Sequence, residues 1–333
     1  MEATGNGHLT DGPDAASSWD SYWRSGDANS ACSAMDAGHP AVQSFWDDFF
    51  AALSPGLKSP AMIDIACGNG AVVERMLAQL GIREPAITCV DVSAVAIGNI
   101  SARFKQVEAL ICDARQIPVD SHSFDIVTSQ FGVEYAGIEA VVEAARLVAP
   151  GGRIALLMHH SAGSIYRDCM AGRAAVSAVR DAQFLALAGQ MFQAGFAAVR
   201  GADRAPYDEA AARLAPALKV VEAAIAQHGA QVSAGAIARL YEDVARIHGR
   251  LPHYDPNEVL EWLERMEREL GAYLLRASSM LASALDAGAF ERACEAVRGS
   301  GCVIEQARAL RPQNKQEPLA WALTAMRPSF AEH

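Results

Sequence analysis

Several things are scarce or missing in this 333-residue chain. No stretch approaches the ~20 uninterrupted apolar residues that a membrane span needs, and the first residues lack the basic start and apolar run of a secretory signal. The expected location is therefore the cytoplasm, with no membrane partner. The seven cysteines (Cys32, Cys67, Cys89, Cys112, Cys169, Cys294, Cys302) include no CxxC pair and are odd in number. That spacing excludes a zinc cage or a disulfide framework, and no metal is expected. Positive charge is also short: the formal net charge is -11, which argues against a nucleic-acid partner, because phosphate binding rests on clustered Lys and Arg. A small-molecule substrate is the expected partner.

What is present is apolar residue, 51% of the chain and enough for a substantial core. Residues 1–17 hold little to bury and are expected to be mobile, with order beginning at "SWDSYWRSG". From 61 to 160 short apolar runs alternate with helical patterns: "AMIDIA" then 71–80, "AITCVDV" then 94–105, "VEALICDA", "FDIVTSQ" then 138–148, and "GRIALLMHH". This alternation predicts a parallel sheet covered on both faces.

From 161 to 288 the spacing turns helical throughout. Its clearest member begins at "DPNEVLEWLERMEREL", with Asp255 as N-cap, Pro256 at the first position and Glu258 where a capping box places it. After it, 289–333 reads as a helix, "AFERACEAVRGSG", followed by two strands, "CVIEQARAL" and "PLAWALTAM". The division is thus a tail (1–17), an α/β core (18–160), a helical insertion (161–288) and a closing helix and strand pair (289–333). The insertion starts where the expected cleft ends, so it is expected to act as a lid, with a homodimer contact as a further role.

"IDIACGNG" carries the chemistry. A sharp turn from a buried strand into a helix leaves unpaired N–H groups, and Gly68 and Gly70 let a ligand approach the backbone. Dinucleotides and S-adenosylmethionine both use such corners. A dinucleotide fingerprint would need Gly, Gly and Gly/Ala at Ala66, Gly68 and Ala71, a poor fit. Asp64 at the strand end repels a pyrophosphate and suits an ammonium. Asp91, 21 residues beyond Gly70, suits ribose hydroxyls in either ligand, and Asp113 suits an adenine amino group.

In this order and spacing, "IDIACGNG", "CVDVS", "CDARQIP", "FDIVTSQFGVEY" and "LVAPGGRIALLMHH" resemble the class I S-adenosylmethionine-dependent methyltransferases. The resemblance implies a Rossmann-like α/β sheet of seven strands, the last antiparallel, here with a large all-helical insertion. It implies that Asp64, Ala66, Gly68 and Gly70 surround the methionine part of the cofactor. Asp91 and Val92 then hold the ribose, Asp113 and Ala114 frame the adenine, and Gln130 offers its backbone. "DSYWRSG" resembles the family's N-terminal closing helix, which brings Tyr22, Trp23 and Arg24 toward the methionine carboxylate. Ala66 departs from the more usual glycine.

Methyl transfer is an in-line displacement, so the protein aligns the acceptor and removes its proton where necessary. The strand ends that would receive the acceptor carry His159 and His160 as candidate bases, with Tyr135 as a third catalytic candidate. Side chains alternate along a strand, so one histidine of the pair is expected to face the pocket. Phe131, Glu134 and Tyr166 are the candidate substrate contacts, Glu134 as an anchor for a cationic acceptor. The reading is a small-molecule methyltransferase yielding S-adenosyl-L-homocysteine, with an NAD(P)-dependent oxidoreductase and a non-catalytic cofactor-binding assembly protein as alternatives.

Overall fold

Alternating apolar runs become strands because each is buried on both faces, and the helices between them supply the cover. The computed structural model describes residues 19–20, 22–24, 38–53, 59–80, 86–313 and 316–329; the tail expected over 1–17 lies outside them. In chain order, α1 (Pro40–Leu53) precedes β1 (Ala61–Ile65), α2 (Ala71–Leu80), β2 (Ala86–Asp91), α3 (Ala94–Arg103), β3 (Val107–Ile111), β4 (Phe124–Gln130), α4 (Ile138–Leu147) and β5 (Val148–His159). Five helices follow: α5 (Ser164–Asp181), α6 (Phe184–Val199), α7 (Ala205–His228), α8 (Ala236–Gly249) and α9 (Pro256–Ser283). The chain then closes with α10 (Ala287–Gly299), β6 (Val303–Leu310) and β7 (Ala320–Met326).

The seven strands form one sheet in the order β3-β2-β1-β4-β5-β7-β6. β1 to β5 are parallel, and β7 inserts antiparallel between β5 and β6. This is a Rossmann-like α/β sheet with an antiparallel strand inserted near one edge. The helix expected over 138–148 ends at Leu147, because Val148 already begins β5, four residues ahead of the expected strand start at Gly152.

The pleat sorts the core into two layers. Ile63 and Ile65 of β1, Val127 of β4, Ile154, Leu156 and Met158 of β5 and Leu323 of β7 face α4 and α10, whose Ala144, Phe290 and Cys294 complete that layer. The intervening residues face the opposite way, among them Asp64, Thr128 and His159, all buried.

The chain divides into two compact units. One holds the sheet, through Tyr166 and again from Ser279; the other is Arg167–Ser278. Within the second, Asp255 accepts from the backbone N–H groups of Asn257 (2.8 Å) and Glu258 (3.2 Å), so it caps α9 as its sequence predicts. Val259, Leu263, Leu270 and Tyr273 on one face of α9 are buried. α6 is apolar on nearly every side and buries Phe184, Leu185, Met191, Phe192 and Phe196. Among the described residues no single helix is long and apolar enough to cross a membrane.

The loop leading from β3 to β4 borders the carboxyl edge of the sheet and is tied down by one ion pair. Glu143 accepts from the Ile117 N–H (2.7 Å) and from Arg146 (2.7 and 2.8 Å). Arg146 in turn donates to the carbonyls of Ile117 and Val119 and to Ser121 Oγ. Removing the carboxylate strands both the amide and the guanidinium, so Glu143→Ala should lower stability by about 1–3 kcal/mol in denaturant unfolding at pH 7. Hydrogen bonding from Arg146 holds the Glu143 carboxyl below its usual 4.5. Its stabilisation is therefore complete above about pH 4.5 and lost as pH falls through the lower native value, so the gap between wild type and variant should narrow in acid.

Candidate active site

The corner after β1 takes its shape from three residues in the left-handed region: Ala66 (φ 53°), Gly68 (φ 51°) and Gly70 (φ 80°). Gly70 allows close packing, since a Cβ there would lie 2.9 Å from Ile100 Cδ1 and 3.0 Å from the Phe104 ring. Ala66 is the unusual member, a side chain held where glycine is ordinarily favoured. Its Cβ points at Gly132, just past β4, where a second Cβ would overlap it. Phe131, next to that glycine, also has a positive φ of 54°. Two strained corners at the ends of neighbouring strands therefore interlock, as strained backbone commonly does at functional sites.

Acids converge on this corner, and among the described residues no cation pairs with those at its floor. Asp64 is 1% exposed; its Oδ1 accepts from Thr128 Oγ1 at 2.8 Å, while its Oδ2 is buried with no partner. Burial, reinforced by the Asp91 charge, pushes the Asp64 carboxyl up to about 7. Asp91 Oδ2 accepts from the Gly68 N–H and Oδ1 from the Ser93 N–H, both at 2.9 Å, which fixes the corner to the end of β2. Burial raises the Asp91 carboxyl as well, and Asp20 adds to the repulsion. Asp20 Oδ1 accepts from Ser93 Oγ (2.6 Å) and the Val95 N–H (3.2 Å), tying the N-terminal segment to the start of α3.

A cleft of about 800 Å³, counted to its open mouth, lies over these strand ends. Ala66 and Val90–Val92 line its floor, Cys112–Arg115 one wall, and Phe131, Gly132, Tyr135 and Ala136 the other, with Trp19 and Trp23 at the rim. Trp23 lies directly on the corner, its Cζ2 2.5 Å from where a Gly68 Cβ would be. Trp19 meets the edge of Tyr135, ring centroids 5.3 Å apart.

Strand alternation separates the two histidines. His160 stacks on Trp321 (4.1 Å) in the α10 layer, accepts from the Ala162 N–H at 3.0 Å, and is held below the ordinary histidine value by burial, with Arg311 adding to the effect. His159 turns the other way and is buried. Its Nδ1 lies 2.7 Å from Glu134 Oε1, and the same oxygen accepts its backbone N–H at 2.9 Å. Phe131 (4.5 Å) and Tyr135 (5.8 Å) pack on the His159 ring, so the imidazole sits one aromatic layer from the cleft.

Residues 62–152, which span the corner, the acids and the wall, match the family model described as a methyltransferase domain. That stretch, about a quarter of the chain, is similar to a methyltransferase domain. Solved structures resemble it in part. They include the YcgJ protein from Bacillus subtilis (20% identity, 35% of this chain and 51% of that one, TM-score 0.31). Another is a SAM-dependent methyltransferase from Aquifex aeolicus (17%, 36% and 64%, TM-score 0.30). A third is geranyl diphosphate C-methyltransferase from Streptomyces coelicolor A3(2) (18%, 35% and 46%, TM-score 0.31). The match spans about half the length of the first of these chains. No curated protein matches the chain.

The structure gathers Ala66, Asp91, Val92, Asp113, Ala114, Phe131, Tyr135 and Trp23 around one cleft, with Asp64, Gly68 and Gly70 forming the corner at its floor. Asp113 is already engaged: its carboxylate takes the Arg115 guanidinium at 2.7–3.1 Å and the Arg115 N–H at 2.8 Å, and these bonds hold it below the usual carboxylate value. The side chain of Gln130 turns to α1, its Oε1 accepting from Trp46 Nε1 at 2.5 Å. Glu134, 5% exposed, is bonded to His159 rather than lining the cleft, which departs from its expected role as a substrate anchor. Arg24, His160 and Tyr166 also lie outside the lining. Sequence reasoning missed Asp20, Ser93, Gly132 and Arg115; of these only Ser93, an N-cap residue directly after a strand, left a readable signal.

Because the folded state raises the Asp64 carboxyl to about 7 from 3.8, it binds that proton more tightly than the unfolded chain does. Its contribution to stability therefore falls as pH rises from about 4 to about 7. Asp64→Asn should remove that slope: relative to the variant, the wild type loses stability between pH 5 and pH 8 in denaturant unfolding.

Proposed function

We propose that this protein transfers a methyl group from S-adenosyl-L-methionine to a small-molecule acceptor, releasing S-adenosyl-L-homocysteine. The observation that carries the reading is the buried, unpartnered oxygen of Asp64 beneath a glycine corner, in a cleft whose nearby acids outnumber its cations. An uncompensated buried carboxylate is costly, and a cationic ligand relieves it, whereas a dinucleotide pyrophosphate would add to the repulsion.

The residues fit the cofactor in kind. Asp64, Gly68 and Gly70 would take the methionine end and its ammonium. Asp91 keeps a lone pair on each oxygen for ribose hydroxyls, although both oxygens already accept backbone N–H groups. Asp113 and Ala114 would border the adenine, with Trp23 over the corner. When bound, the cofactor supplies a methyl group made electrophilic by a sulfonium. The chain's part is then to exclude water, align the acceptor against Phe131 and Tyr135, and receive a proton at His159. His160 has no place in this scheme, since its ring is stacked against Trp321 in the layer that faces α10.

Calorimetric titration should give a binding heat with S-adenosyl-L-homocysteine and none with NAD. Asp64→Asn should weaken that binding by about 10- to 100-fold, the value of one charge-assisted hydrogen bond. Affinity for the wild type should also tighten between pH 6 and pH 8 as the Asp64 proton is released. A heat with NAD alone would overturn the reading. Mass-spectrometric screening across phenols, amines and carboxylic acids for a product one methyl group heavier would supply the acceptor; binding without turnover would favour a non-catalytic role.

A further inference from the structure

Asp113 meets the cleft with its acceptor capacity already taken. Its Oδ1 accepts from the Arg115 backbone N–H (2.8 Å) and its Oδ2 from Arg115 Nη2 (2.7 Å), while Arg115 Nε lies 3.1 and 3.0 Å from the two oxygens and is shared between them. A carboxylate oxygen offers two lone pairs, so all four are engaged by the residue two positions on. The loop holds that residue in place. The Gln116 N–H donates to the Asp113 carbonyl (3.0 Å), closing a turn around Ala114 and Arg115, and the Ile117 N–H is anchored on Glu143 (2.7 Å). Asp113 and Arg115 both line the cleft wall, so a ligand meets the pair and not a bare carboxylate.

From this arrangement we infer that Arg115 is a specificity-determining residue: by occupying Asp113 it lets the cleft take a purine with an oxo group at its six-position about as well as one with an amino group. The inference rests on the methyl-transfer reading, in which Asp113 and Ala114 border the base, and it names what that wall reads. The adenine amino group is a neutral donor. To reach a lone pair of Asp113 it must displace a cation forked across both oxygens, and it returns one neutral hydrogen bond for charge-assisted ones. The exchange does not favour it. An oxo group, in turn, is repelled by a bare carboxylate but not by one whose charge a guanidinium offsets. With Arg115 in place, the wall therefore recognises the base by its shape and not by its amino group.

The test is calorimetric titration of the full chain with S-adenosyl-L-homocysteine and with S-inosyl-L-homocysteine, its 6-oxo counterpart. The wild type should bind the two within about threefold of each other. Arg115→Met keeps the length of the side chain but removes the cation, so Asp113 regains free lone pairs. That variant should favour the adenosyl compound by about 10- to 100-fold, the worth of a hydrogen bond to a charged group. Adding Asp113→Ala to Arg115→Met should return the ratio to within about threefold, which assigns the discrimination to the released carboxylate. The Asp113 and Arg115 side chains are 44% and 36% exposed, and an ion pair so exposed adds little to stability, so these variants should fold. A purely structural role for Arg115 would shift both affinities together and leave the ratio unchanged. A wild type that prefers the adenosyl compound by more than about tenfold, or an unchanged ratio in Arg115→Met, would overturn the inference. Heat with neither compound would instead remove the methyl-transfer reading, and the inference with it.

Discussion

One carboxylate organises the floor of the cleft. Asp64 lies at the last turn of a strand buried on both faces, so it cannot reach water, and Thr128 on the neighbouring strand satisfies only one of its oxygens. Its other oxygen has no partner among the described residues. The parallel register of β1 with β4 places Asp64 beside Thr128, and the positive φ of Ala66 then turns the chain away before a backbone amide can fold back onto it. An unmet electrostatic need is built into the floor of the cleft, and Asp91 and Asp20 deepen it.

A second constraint comes from the backbone. Ala66 and Phe131, both at positive φ, end adjacent strands, and Gly132 leaves the space that the Ala66 Cβ needs. Strain of this kind persists only where surrounding packing over-determines it. Here that packing includes the phenyl ring of Phe131 on His159 and, beyond it, the Glu134 carboxylate. The corner after β1 and the acid–imidazole pair are thus parts of one mechanical unit, joined through a single glycine.

The sheet was legible from the sequence because each strand is an apolar run bounded by turn residues, and the acids at the ends of β1, β2 and β3 marked the cleft for the same reason. Side-chain partnership was not legible. Asp113 looked free until the Arg115 two residues on was seen to fold back on it, and Glu134 looked like a substrate anchor because nothing in "FGVEY" announces a histidine 25 residues later. Alternation along β5 predicted that one of His159 and His160 would face each way. Which one did so depended on register, a property of strand pairing and not of the local sequence.

That register has a distant guardian. β5 is flanked by β4 on one side and by β7 on the other, where Met158 pairs with Trp321 and His159 with Ala320. Because the pleat repeats every two residues, sliding β5 by one position would exchange the two imidazoles, presenting His160 to the acid and turning His159 onto the indole. The strand Ala320–Met326, far along the chain, therefore acts as the ratchet pawl that decides which imidazole meets Glu134.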